Sequence, residues 1–103
     1  MTEILLQFSD RVVLATAMQE LSRHRRFLQE QLPQRQDSAA SVQLIADLGQ
    51  LRELDTSVLA VLLHLDREAR DKLGRPLVIR SASENLQSLA RLSSLESVMS
   101  WQA

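Results

Sequence analysis

Residues 42–73 read VQLIADLGQLRELDTSVLAVLLHLDREARDKL, and this stretch carries the strongest secondary-structure signals in the chain. Its first seven residues, Val42–Leu48, are mostly apolar, which predicts a short central strand covered on both faces. Asp55, Thr56 and Ser57 are helix-capping residue types that stand directly before an apolar run. They predict that a long helix begins at this point, one short loop after the strand.

The end of this helix is also marked in the sequence. Gly74 suits the left-handed residue that follows a helix, and Pro76 cannot continue one, so the helix is predicted to end near Leu73. A further strand over Pro76–Ser81 follows, and Ser83 then opens another helix. A strand–helix–strand unit of this kind is parallel and right-handed. The fold class predicted from this half of the chain is therefore α/β.

The N-terminal part of the chain allows two interpretations. Ile4–Phe8 and Val12–Thr16 are apolar and flank the polar residues Ser9–Arg11, which predicts a β-hairpin. Alternatively, one long helix runs over residues 10–32, because its apolar residues keep a helical spacing. The β-branched pair at the start of the second run favours the hairpin, and the first helix then covers residues 18–32.

The remaining segments carry weaker signals. Pro33–Ser41 is polar and is predicted to be a surface loop. The tail from Ser93 to Ala103 is weakly patterned, and its apolar residues suggest a last short helix; they are Leu95, Val98, Met99 and Trp101. We find no internal repeat and expect one domain over residues 1–103, with a small mixed sheet, an N-terminal hairpin and helices packed mainly on one face.

Composition narrows the possible functions. The net charge is −1 and aromatic residues are 3% of the chain, which disfavours nucleic-acid binding. The chain has no cysteine, so it has no thiolate nucleophile and no zinc-thiolate site. We see no signal peptide and no apolar run long enough to span a bilayer, and so expect a cytosolic location. No set of residues suggests catalysis, a metal or a cofactor.

The predicted helix over residues 57–73 has an unusual polarity pattern. Its core stripe is apolar and contains Val58, Leu59, Leu62, Leu65, Ala69 and Leu73. The opposite face is charged in its second half only, because its first two turns carry Ser57, Ala60, Val61 and His64. The first two turns of this helix therefore carry apolar or small residues on nearly every side. Such a surface is either covered by another element or is a docking surface for a protein.

Residues 46–80 resemble the STAS domain family, which includes the anti-sigma factor antagonists. The family motif is an apolar strand that ends in Asp-Leu, followed by Asp-(Ser/Thr)-x-Gly and an apolar helix. It corresponds here to Ala46–Leu48, Asp55–Ser57 and the helix that follows. Val58 replaces the glycine of the motif, and the glycine usual after the second strand is also missing, near Thr16. Weaker similarity extends over nearly the whole chain.

Within this family, residues 55–65 are most similar to MlaB-like subunits of ABC-type phospholipid transporters. The resemblance implies a non-enzymatic accessory subunit that docks on the cytoplasmic ATPase of a transporter maintaining outer-membrane lipid asymmetry. It would be cytoplasmic and peripheral to the inner membrane only through its partner. The alternative is an anti-sigma factor antagonist that a partner kinase phosphorylates on Thr56. Val58 disfavours this alternative, because it adds bulk beside the site.

The residues predicted to contact the partner are Asp55, Thr56, Ser57, Ala60, Val61 and His64. Three of them also have a simpler interpretation. Thr56 matches the regulatory position of the family, but it could be only a helix cap. Asp55 could brace the loop, and His64 lacks the companions that a metal site requires. The basic run Arg23–Arg26 could face lipid headgroups, although such runs are more often solvated surface.

Overall fold

The computed structural model describes residues 2–31 and 42–102, so the loop predicted at Pro33–Ser41 lies outside the described residues. The elements in chain order are β1 Thr2–Gln7, β2 Arg11–Val12, α1 Ala17–Gln31, β3 Val42–Asp47, β4 Glu53–Leu54, α2 Ser57–Leu73, β5 Val78–Arg80, α3 Glu84–Leu92 and β6 Ser100–Trp101. The α/β fold predicted from the sequence is confirmed, as are the positions of the three main helices.

Four strands form one sheet in the order β1-β3-β5-β6, and each neighbouring pair is parallel, so the described sheet is parallel and not mixed as predicted. The strands therefore advance in one direction across the sheet as the chain proceeds. Because each crossover between parallel strands is right-handed, α1, α2 and α3 all lie on the same face. This agrees with the prediction that the helices pack mainly on one face. β3 is an interior strand, as predicted, but the helices cover only one of its two faces.

The two faces of the sheet differ in composition. The face toward the helices is apolar and buried; it carries Ile4, Leu6, Leu44, Ala46 and Ile79. The face away from the helices carries alternate residues of the same strands, namely Glu3, Leu5, Gln7, Gln43, Ile45, Asp47, Val78 and Arg80. We call this second surface the open face. An ion pair of 3.9 Å between Glu3 and Arg80 spans β3 diagonally across Ile45, which is 2% exposed.

The predicted N-terminal hairpin is wrong. The two apolar runs do contain strands, but β1 pairs with β3 and the two-residue β2 pairs with β4 in a separate small sheet. The carbonyl of Asp10 accepts the N–H groups of Arg52 and Glu53 at 2.7 and 3.0 Å, so the turn after β1 is attached to the loop before α2. These contacts direct the chain away from β1 and prevent it from folding back as a hairpin.

Helix α2 has the ends and the core stripe that the sequence predicts. All six predicted core residues are buried. Gly74 adopts φ 70°, and its N–H donates to the carbonyl of Arg70 at 3.1 Å. A buried carboxylate fixes the C-terminal half, because Asp66 accepts the Leu77 N–H at 3.0 Å and the Arg70 Nε at 2.9 Å. This contact ties α2 to the chain that enters β5.

The last short helix predicted in the tail is also wrong. After α3 the chain turns at Ser94, which has a positive φ of 59°. It then adds β6 to the edge of the sheet, with Trp101 in register with Ile79. The indole N–H of Trp101 donates to the carbonyl of Glu96 at 2.8 Å. Pairing with β5 gives the backbone N–H and C=O groups of this segment their hydrogen-bond partners, as a helix would also have done. The local sequence does not reveal this alternative.

Candidate functional site

The N-terminal halves of α1 and α2 enclose an apolar cleft of about 180 Å³, which we call the α1–α2 cleft. Its walls come from both helices and from the turn before α1; the lining residues are Leu14, Ala17, Met18, Leu21, Ser57, Ala60, Val61 and His64. Four of the six residues predicted to contact a partner are among them. The structure therefore brings most of the predicted site together on one surface.

Large apolar side chains stand exposed at the rim of this cleft. Leu14 is 79% exposed and Met18 is 72% exposed. Val61 is 2% exposed and forms the floor, whereas Ala60 and His64 lie at the surface. The first helix thus covers part of the apolar start of α2, which the sequence left open as one alternative, and leaves the remainder accessible. Exposed apolar residues of this size around an apolar floor are typical of a protein-docking surface.

Asp55 braces the mouth of the cleft. One carboxylate oxygen, Oδ2, accepts the N–H of Leu14 at 2.9 Å. The other, Oδ1, accepts the N–H of Ser57 at 2.8 Å and also the hydroxyl of Ser57. The hydroxyl of Ser57, together with the two backbone N–H groups, lowers the pKa of Asp55 from its ordinary value. The ionised carboxylate therefore links the turn before α1 to the first turn of α2.

Thr56 has a different role from the one that capping statistics suggest. It occupies the N-cap position with φ −63° and ψ −16°, but its side chain makes no capping hydrogen bond. Asp55 satisfies the first-turn N–H of Ser57 instead. Thr56 is exposed, and its hydroxyl has no hydrogen-bond partner among residues 2–31 and 42–102. The hydroxyl is therefore available to another molecule, at the edge of the cleft.

The basic run Arg23–Arg26 does not form one charged face. His24 is 1% exposed and lies beneath the helix surface. Arg23 pairs with Glu20, and Arg25 pairs with Glu68 on α2. Within the described part of the chain, only Arg26 of this run lacks an ionic partner. The structure therefore gives no concentrated basic patch to support the lipid-headgroup interpretation.

Sequence reasoning missed the contribution of α1 to the cleft. Leu14 was assigned to a strand, and Met18 was taken only as the first residue of the first helix. In the structure, the N–H of Val13 bonds to the Thr16 hydroxyl at 3.1 Å, and this turn presents Leu14 outward. The available signal was the helical spacing of Leu14, Met18 and Leu21, which places all three on one side of α1 and its preceding turn.

The described residues hold neither a metal cluster nor a membrane-spanning helix. Residues 2–31 and 42–102 contain no group of three or more His, Cys, Asp or Glu side chains that could hold a metal ion. Within the same residues, no helix is both long enough and apolar enough to cross a membrane. Asp55, the one candidate acid at the cleft, is engaged by Leu14 and Ser57.

The comparisons with known proteins agree with the fold and with the motif around Asp55. None of the curated proteins compared with the chain matches it. A family model described as "Mlab, STAS domain" matches residues 7–100, which is nearly the whole chain. The resemblance inferred from residues 46–80 is thereby confirmed and extended to residues 7–100. The chain belongs to the MlaB-type STAS domain family.

Proposed function

We propose that the chain is a non-enzymatic accessory subunit that docks through the α1–α2 cleft on the cytoplasmic ATPase of an ABC-type phospholipid transporter. In this role it supports the assembly and activity of a complex that maintains outer-membrane lipid asymmetry. It lies on the cytoplasmic side of the inner membrane and reaches the membrane only through its partner. Membership of the MlaB-type family supports the class of partner, and the cleft supports the mode of binding.

The observation that carries the proposal is the pair of exposed apolar residues at the rim of the cleft. Leu14 and Met18 are exposed by more than two-thirds. Burial of a side chain of this size stabilises a complex by roughly 1.5–3 kcal/mol. Two such residues around a shallow pocket form the apolar centre that interfaces require, and the polar residues at its edge form the rim.

Thr56 and Asp55 supply the polar edge. The hydroxyl of Thr56 is unpaired within the described residues and can bond to the partner, whereas Asp55 holds the two walls in place. His64 lies one helical turn after Ala60 on α2 and also lines the cleft, so it completes the rim. We assign no proton-transfer role to Asp55, because its oxygens already accept bonds from Leu14 and Ser57.

A second candidate function is that of an anti-sigma factor antagonist controlled by phosphorylation. The observation that favours it is the exposed hydroxyl of Thr56, which has no hydrogen-bond partner in the part of the chain that the structure describes. A phosphate there would add nearly two negative charges beside the ionised Asp55, and repulsion would oppose docking of a partner. Against it, Val58 is fully buried where the family motif has glycine.

The decisive experiment is affinity purification of the tagged protein from its native cell, followed by mass spectrometry. We expect an ABC ATPase and its permease to copurify with the wild-type protein. Thr56→Arg places a long charged side chain at the rim, so we expect it to lose both partners while the thermal melt is unchanged. Ser88→Arg, on the exposed surface of α3, is the matched control and should retain them.

The other outcomes separate the alternatives. Recovery of a kinase-like anti-sigma factor, with phosphate on Thr56, would establish the signalling function in place of the transporter function. Loss of binding that accompanies a collapsed melting temperature in Thr56→Arg would show that Thr56 is structural. Retention of the ATPase by Thr56→Arg and also by Leu14→Arg would exclude the α1–α2 cleft as the docking surface.

A further inference from the structure

The outer side of β1 is an unpaired sheet edge. The N–H of Phe8 donates to the carbonyl of Asp47 at 2.9 Å, so the backbone of Phe8 points toward β3. Backbone direction alternates along a strand, and the backbone groups of Glu3, Leu5 and Gln7 therefore point outward. Within residues 2–31 and 42–102, no strand pairs with this side. The guanidinium of Arg23 donates to the Gln7 carbonyl at 3.1 Å.

This edge has only part of the protection that is usual for edge strands, namely the charge of Glu3 and the contact of Arg23 with the Gln7 carbonyl. Natural edge strands are kept short or carry lysine, proline or a bulge. The opposite edge, β6, follows this rule because it has only two residues. β1 has six residues, matches all six residues of β3 without a bulge, and contains neither lysine nor proline. It is therefore a template on which another strand can form hydrogen bonds.

An apolar groove lies along the same edge. Leu5 on β1 is 41% exposed and Phe27 on α1 is 40% exposed. Both line a cavity of about 290 Å³ between the strand and the helix, together with Leu6, Gln7, Arg23 and His24. A strand added to β1 would thus contact apolar side chains as well as an unpaired backbone.

We propose that the occupant of this edge is the β1 strand of a second copy of the chain, paired antiparallel about a two-fold axis. With the axis at Leu5, the two Leu5 residues face one another and Glu3 of each copy faces Gln7 of the other. No like charges meet across the strands. A two-fold interface presents the same patch on both sides, so each copy satisfies the outward N–H and C=O groups of the other.

The charges on α1 complement one another under the same symmetry. Arg23 lies beside Gln7 and Phe27 lies beside Leu5, so α1 runs antiparallel to β1. Glu30 is one turn further along α1, on the side it shares with Phe27 and Arg23. The two-fold axis therefore places Phe27 near its own equivalent and Arg23 of each copy near Glu30 of the other. Opposite charges in this arrangement fix the register of the pair.

The proposed interface is separate from the α1–α2 cleft. Met18 and Phe27 are nine residues apart on α1, which places them on opposite sides of the helix. The dimer therefore leaves Leu14 and Met18 accessible, and its existence does not depend on the docking function. Because the patch is one strand and part of one helix, it falls in the class of small interfaces that form weak complexes.

Sedimentation equilibrium of the full chain tests this proposal. For so small a patch we expect a reversible dimer with a dissociation constant on the order of 100 µM. Leu5→Arg places two like charges across the axis and should weaken the dimer at least tenfold. Glu30→Arg should also weaken it, by opposing Arg23. Leu92→Arg, at a position that is 83% exposed at the end of α3, is the control and should leave it unchanged.

The results that would overturn the proposal are equally definite. One is a wild-type protein that stays monomeric up to roughly 1 mM, which is about ten times the expected dissociation constant. Another is a dimer that neither Leu5→Arg nor Glu30→Arg weakens. Glu30 is exposed and without an ionic partner in the described chain, so its replacement tests the interface even if Leu5→Arg fails to fold.

Discussion

A buried polar cluster joins α1 to the end of β1. Oε2 of Glu20 accepts hydrogen bonds from His24 at 2.7 Å, Arg23 at 2.7 Å and the N–H of Ser9 at 3.1 Å. The ring of His24 stacks on Phe8 with centroids 4.3 Å apart. Burial alone would raise the pKa of Glu20, but the bonds from His24 and Ser9 outweigh it and lower the pKa from 4.5 to about 2.

This cluster makes a pH-dependent contribution to stability. The folded-state pKa of Glu20 lies below its unfolded value, so the contribution is fully present above about pH 4.5 and is lost as the pH falls toward about 2. We expect urea unfolding to show roughly 3 kcal/mol less stability at the acid end from this group. Glu20→Gln should remove most of this loss and be less stable at pH 7, whereas Glu84→Gln, on the surface of α3, should behave as wild type.

The start of α2 could be predicted from the sequence only in part. Three capping residue types in succession correctly predicted where α2 begins. They did not reveal which side chain would act, because Asp55, Thr56 and Ser57 all suit the position. The choice depends on the Leu14 N–H, which the fold brings to Asp55 from 41 residues away. Among residues 2–31 and 42–102 the hydroxyl of Thr56 is thereby left without a hydrogen-bond partner, and this supports its proposed role at the docking surface.

At the scale of an element, α2 carries both the core and the candidate site. Leu62 is fully buried on its core stripe, and Arg67 is exposed on the same helix. Leu62→Asp places a charge in the core and should unfold the domain, because burial of an unpaired carboxylate costs several kcal/mol. Arg67→Asp introduces the same side chain at the surface and should melt within a few degrees of wild type. A cooperative, unshifted melt of Leu62→Asp by circular dichroism would show that the stripe is assigned to the wrong face.

The helices could be predicted because their signals are local. Periodicity, the capping cluster and Gly74 all lie within α2 or next to it. The strand pairings could not be predicted, because local sequence does not show whether β1 pairs with the next strand or with β3. β3 is about 40 residues further along the chain. β4 and β6 have two residues each, too few for any alternation to be recognised. The hairpin and the last helix were wrong for this reason.

At the scale of the whole molecule, the order of the strands in the sheet determines the face on which the helices lie. Because β1, β3, β5 and β6 advance in one direction, α1, α2 and α3 lie on one face, and no helix of residues 2–31 and 42–102 covers the other. The same arrangement sets the N-terminal ends of α1 and α2 side by side. The α2 half of the cleft was predictable from its residues, whereas the α1 half required this packing.

Adjacent residues of β5 provide a test of the one-sided sheet. Ile79 points toward the helices and is 1% exposed, whereas Val78 lies on the open face and is only partly buried. Ile79→Thr both removes packed carbon and buries a hydroxyl, so we expect it to lower the free energy of unfolding by about 2–4 kcal/mol. Val78→Thr makes a similar chemical change one residue away.

For Val78→Thr we expect a loss below about 1 kcal/mol, since the hydroxyl can remain hydrated on the open face. Urea titration followed by the fluorescence of Trp101, the only tryptophan of the chain, measures both variants with one probe. Trp101 is in register with Ile79, so it reports directly on the strand that is altered. Equal losses in the two variants would mean that the open face is covered as fully as the core face, which would contradict the one-sided architecture and leave the Glu3–Arg80 pair buried.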